Sequence, residues 1–243
     1  MSTRYGFNNL LDIVDHNETL SIIERDPRSL GYVLGLRMLK LLVEREEVVW
    51  LVLFEPLSVL RTNLKIVGLN LEEILRRGNF YIFDVYGSVA RIKRNLPHVY
   101  QVKGDITGIG FVIKYMKVAS FALSEALKDL KVDELQRVWT LGFMDSSIGR
   151  LFDNPAEIYK RMWLLKYSPR IRLPIKDIRS IILYNSAEFP KLESFIYDIS
   201  DYVLESFIMG ENELKHLMVV SKSKKPEIDN LVIEYLGGGE NVD

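Results

Sequence analysis

The stretch VVWLVLFEPLSVLRTNLKIVGLNLEEILRRGNFYIFDVY, residues 48–86, decides the fold class. VVWLVLF (48–54) is a continuous apolar run bounded by acidic residues, the pattern of a buried strand. EPLSVLRTNLKIVG (55–68) carries Pro at a first-turn position and closes on Gly, as helices do. NLEEILRRG (70–78) is a second, shorter helix, and NFYIFDVY (79–86) a second strand. Strand, helical return and strand in succession predict a right-handed crossover between parallel strands.

The same alternation continues outward. TLSIIE (19–24) reads as a strand and SLGYVLGLRMLKLLVERE (29–46) as a helix. A helix is expected near 107–130, followed by the strand VWTLGFMD (138–145) and the helix PAEIYKRMWLLKY (155–167). RSIILYN (179–185) reads as a buried strand and KLESFIYDIS (191–200) as a helix. DYVLESFI, ELKHLMVVSKS and NLVIEYL then read as successive strands, the first two joined by a turn at MGEN (209–212). The expected fold is α/β, a mostly parallel central sheet covered by helices on both faces, with the C-terminal antiparallel strands at one edge. No linker or repeat divides the 243 residues, so one domain is expected, with 87–106 least regular and a frayed tail at about 237–243.

Composition excludes several classes of function. Lys and Arg number 32 against 33 acidic residues, so no global field favours nucleic acid or an anionic membrane. The absence of cysteine removes disulfides, thiolate metal sites and cysteine nucleophiles. His16, His98 and His216 are the three histidines and have no ligand spacing, so no histidine-held metal is expected. No apolar run is long enough to span a bilayer and the N-terminus lacks a secretory pattern, so a cytoplasmic protein is expected. Heavy use of Ile, Leu, Val, Lys, Arg and Glu suits a thermophilic source.

Taken in register, Glu55, Pro56, Leu60, Arg61, Asn63, Gly68, Asn70, Leu71, Glu72, Glu73 and Asp84 resemble the corresponding segment of the KaiC-like branch of the RecA/RadA ATPases. Two further segments are similar: LGFMDSS (141–147) to the Walker B strand ending in Asp-Ser, and HLMVVSKSKK (216–225) to the late strand carrying a finger that reaches a neighbour's nucleotide. The resemblance covers about Gly6 to Ile233. It implies a RecA-like fold, oligomers that are often hexameric rings, and a nucleotide site built around Glu55, Asp145 and Ser146, with Lys222 and Lys224 as the finger.

The resemblance breaks where the family places G-x-x-x-x-G-K-[ST]. RDPRSLGYV (25–33) lies over that loop, with Asp26, Leu30, Gly31 and Tyr32 standing where Gly, Gly, Lys and Thr are expected. The loop works because backbone N–H groups converge on phosphate at a helix N-terminus, its Lys reaches the β/γ-phosphates and its hydroxyl helps hold magnesium. Phe54 also replaces the first of the two glutamates that the family has after the strand, and that first residue is the better candidate for positioning the attacking water. What remains is a vestigial site of Arg28, Ser29, Glu55, Asp145 and Ser146, and no bound cofactor is expected. Asp145 equally suits a helix cap and Glu55 a carboxylate at a helix start. Tyr32, Trp50, Trp139 and Trp163 read as packing residues.

The expectation is therefore a non-catalytic pseudo-ATPase that serves as an interaction or regulatory protein. Its partners would be copies of itself or an intact KaiC-like paralogue to which it lends Lys222 and Lys224. Two alternatives stand beside it. One is a weak ATPase with a rebuilt loop using Arg28, Asp145, ATP and magnesium. The other is a nucleic-acid-binding module using Arg91, Lys93 and Arg94, with His98, Lys103, Lys166, Arg170 and Arg172 adding to the basic set.

Overall fold

The computed structural model of the chain describes residues 7–104, 108–131, 135–165, 175–210 and 215–235. The expected tail and the basic positions Lys166, Arg170 and Arg172 lie outside the described residues, as does part of the expected turn at 209–212.

Nine strands among the described residues form one sheet: β1 Thr19–Glu24, β2 Val49–Leu53, β3 Phe80–Asp84, β4 Val99–Tyr100, β5 Leu135–Met144, β6 Ile175–Asn185, β7 Tyr202–Met209, β8 Lys215–Lys222 and β9 Val232–Glu234. Their order is β4-β3-β2-β5-β6-β1-β7-β8-β9. Every pairing from β4 across to β7 is parallel, and β7-β8-β9 is antiparallel. The helices are α1 Gly31–Glu44, α2 Leu57–Ile66, α3 Leu71–Arg76, α4 Val85–Val89, α5 Gly108–Asp129, α6 Ser146–Leu151, α7 Pro155–Leu165 and α8 Glu193–Ile199. None of the described helices is long and apolar enough to cross a membrane.

The continuous apolar runs are explained by coverage on both faces. In β2, Val49, Leu51 and Leu53 join the core beneath α1, α2 and α3, while Trp50 points to the opposite core with α5 and α7. β3 splits the same way, Phe80 and Ile82 to one side and Tyr81 and Phe83 to the other. A third cluster packs Ile23, Ile182 and Tyr184 against Ile196 of α8. Gly35 of α1 shows how close the layers come. A Cβ there would lie 2.1 Å from Leu183 Cδ1, so glycine lets α1 settle on β6.

Several boundaries differ from expectation. The strand expected at 79–86 ends at Asp84, because the Asp84 carboxylate accepts the Gly87 N–H at 2.7 Å and starts α4. The stretch 87–106, expected to be irregular, contains the end of α4 and the two-residue edge strand β4. The helix expected from Ser29 begins at Gly31, after a 3-10 turn at Pro27–Ser29 capped by Asp26. β5 and β6 begin earlier than expected, at Leu135 and Ile175, and the expected final strand 230–236 is reduced to Val232–Glu234. A 3-10 helix at Phe7–Ile13 and the helix α6 were not anticipated by periodicity.

Candidate functional site

The register of the sheet sets Asn185 beside Glu24 on one side and Ser206 on the other. Glu24 is the last residue of β1 and is only 8% exposed. Its Oε1 accepts the Gly31 N–H at 2.7 Å and its Oε2 accepts Asn185 Nδ2 at 3.0 Å. The positive end of α1 therefore holds a carboxylate from its own chain. Burial pushes the Glu24 carboxyl up, the Gly31 N–H pulls it back, and the negative charge of Glu188 raises it further. A Cβ on Gly31 would meet Glu24 Cβ at 3.0 Å and Ser206 Oγ at 3.1 Å, so the helix start has closed around that carboxylate.

The loop between β1 and α1 is tied down elsewhere. Arg25 donates to Glu205 and Glu193, at 2.9 and 2.6 Å, and so turns its charge toward β7 and α8. Arg28 folds onto Asp26, with Nη2 2.6 Å from Oδ2, and the Asp26 carboxyl is held down at about 2 chiefly by that contact. Ser29 is buried, its hydroxyl 2.9 Å from that of Ser206, and its carbonyl accepts the Tyr235 hydroxyl. Leu30 adopts φ +56°, a left-handed backbone that disfavours a side chain, and leaves that side chain exposed. Counting five places back from Leu30 puts the first motif glycine at Arg25, so Asp26 belongs one position later than the sequence comparison placed it.

Tyr32, in the first turn of α1, joins three elements. Its hydroxyl donates to Glu55 Oε1 at 2.7 Å and accepts Asn63 Nδ2 of α2 at 2.8 Å, while its ring lies 4.6 Å from Phe143 of β5. Burial pushes the Glu55 carboxyl up to about 7; the Tyr32 hydroxyl opposes the rise and Asp145 adds to it. Tyr32 is thus both a packing residue and a hydrogen-bonding one. Asp145 follows β5 and caps α6, its Oδ1 accepting the Ser147 N–H at 2.8 Å and also the Ser147 hydroxyl. Ser146 is the first residue of that helix.

These groups border a cleft of about 370 Å³ at the C-terminal ends of β1, β5 and β6, walled by Glu24, Gly31, Tyr32, Phe143, Asp145 and Asn185. This is the crevice where open parallel sheets bind ligands. Glu55 joins through Tyr32, whereas Arg28 and Ser29 are engaged within the loop. Sequence reasoning missed Glu24 and Asn185. The available signal for Glu24 was a lone carboxylate closing an otherwise uncharged strand, TLSIIE.

The other candidates lie apart. Lys222 pairs in register with Val203 near the start of β7, at the sheet edge opposite the cleft. Its ammonium donates to the Tyr197 carbonyl at 2.6 Å, and Lys224 contacts Asp201 at 2.5 Å and Glu18 at 3.3 Å. Of the basic trio, Arg91 and Lys93 are exposed, but Arg94 turns inward, its Nε 3.0 Å from Oδ2 of the fully buried Asp84.

No protein-family model matches the sequence, and no curated protein matches it. Solved structures do. The uncharacterized protein PH0321 of Pyrococcus horikoshii, crystallised in complex with an unknown peptide, is similar at 17% identity and a TM-score of 0.77, over 95% of this chain and 97% of that one. The KaiC-like protein PH0186 of Pyrococcus horikoshii OT3 is similar at 14% identity and a TM-score of 0.59, over 97% of this chain and 100% of that one. At such identities the likeness is one of fold: the chain has the RecA-like α/β architecture of these structures.

Proposed function

We propose that this chain is a non-hydrolysing pseudo-ATPase that acts as an interaction or regulatory protein. The observation that carries the reading is the Glu24 carboxylate seated on the Gly31 N–H at the start of α1. A phosphate brought to that helix end would meet a negative charge already in place, and like charges at contact distance repel by several kcal/mol at roughly ε 20. The residues present fit a magnesium–triphosphate group poorly for other reasons too. Gly31 offers no cation, Tyr32 commits its hydroxyl to Glu55, and the loop cations Arg25 and Arg28 are spent on carboxylates. The peptide bound by PH0321, a protein of similar fold, supports a binding role. The partner would be a polypeptide: a second copy, an intact KaiC-like paralogue, or another protein.

Titration calorimetry with magnesium and ATP, ADP or GTP tests the reading. No heat of binding is expected up to millimolar nucleotide. Saturable binding, or hydrolysis that Asp145→Asn abolishes, would overturn it in favour of a rebuilt phosphate loop.

A further inference from the structure

The walls of the cleft at the ends of β1, β5 and β6 are mostly apolar and aromatic, with Tyr32, Phe143 and Tyr184 among them. Its polar lining is one-signed. Glu24, Asp145 and Glu188 border it, and among the described lining residues there is no Lys, Arg or His. The nearest loop cations do not restore the balance, because Arg25 is held by Glu193 and Glu205 and Arg28 by Asp26. Leu30 stands exposed where the loop meets the cleft, an apolar contact for whatever approaches.

From this charge complementarity we infer that the cleft receives a basic side chain, arginine or lysine, presented by a partner polypeptide. The inference rests on the proposed reading of the chain as an interaction protein without nucleotide. An aliphatic stem fits the apolar walls, an aromatic face attracts the cationic head, and the carboxylates oppose its charge. A cleft that accepts anions in an ATPase becomes selective for cations once its helix end is filled by Glu24 and its lysine is gone. Burial is the main upward push on the Glu24 carboxyl, and the smaller push from Glu188 is that of a negative neighbour whose charge a cation would offset.

The test is amide-resolved NMR titration of the whole chain with capped pentapeptides, Gly-Gly-Arg-Gly-Gly against the same peptide with norleucine at the centre. The arginine peptide is expected to give saturable shifts at Gly31, Asp145 and Asn185, and the norleucine peptide only weak ones. In the double variant Glu24→Gln and Asp145→Asn the charges go: at position 145 the amide oxygen keeps both bonds to Ser147, and at position 24 it keeps the Gly31 N–H while the amide nitrogen gives up the bond from Asn185. Affinity for the arginine peptide should then fall roughly five- to tenfold. Equal response to norleucine, no response to arginine, or undiminished affinity in a folded double variant overturns the inference. A parallel titration with MgATP separates the two readings. Nucleotide shifts at the same amides would sink the nucleotide-free reading, whereas failure of the arginine response alone leaves that reading standing.

Discussion

Glu55 is the residue whose protonation the fold alters most plainly near neutral pH. Its carboxyl, ordinarily near 4.5, is pushed up to about 7 by burial, with Asp145 adding to the rise against the Tyr32 hydroxyl. The folded chain therefore holds a proton there that the unfolded chain has released. That contribution to stability is fully present below about pH 4.5 and is lost as pH rises through about 7. Relative to Glu55→Gln, the wild type should lose roughly 1–2 kcal/mol across this window, after allowance for solvent screening at a part-buried site. Urea midpoints of both proteins measured from pH 4.5 to 8 check this, and parallel curves would remove the assignment. The sequence marked Glu55 as an acid at a helix start and Tyr32 as a packing residue. It could not show that the two meet, because their contact depends on how α1 and β2 sit across the sheet.

At the scale of elements, the segment that follows β3 is organised around one buried carboxylate. Asp84 is fully buried and accepts from the Gly87 N–H, Arg94 Nε and Gln101 Nε2. It thereby starts α4 and holds the chain that returns as β4. Arg94→Ala should cost about 2–4 kcal/mol, since it leaves a buried charge short of its partner. Lys93→Ala, one residue away on the exposed side, should stay within about 0.5 kcal/mol. Thermal or urea unfolding of the two variants makes the comparison, and equal losses would mean that Arg94 has no such role. Periodicity identified β3 and the two helices before it, α2 and α3, since each buries a regular face. It left 87–106 without structure because this stretch is ordered by a few polar contacts, which impose no repeat on the sequence.

For the whole molecule, the tethering of Lys222 and Lys224 bears on assembly. Both ammonium groups are engaged within the chain, at the edge of the sheet away from the cleft. Replacing both with alanine should lower stability by about 0.5–1 kcal/mol, because these are exposed or half-exposed contacts. The mass in sedimentation should stay unchanged; a lower mass would assign the lysines to a neighbouring copy instead. The alternation of strand and helix, the parallel sheet and its antiparallel edge were legible in the sequence, because apolar period and helix-end chemistry are local and repeat along each element. The sequence also placed Gly31 and Tyr32 where the resemblance expects a lysine and a hydroxyl, which is a matter of residue identity. Only the tertiary structure decided what fills the start of α1. Glu24 reaches Gly31 seven residues on and Asn185 161 residues on, and Ser206 closes the other side through the register with β7. Such partners are chosen by the order and register of strands distant in the chain, and local pattern carries no record of them.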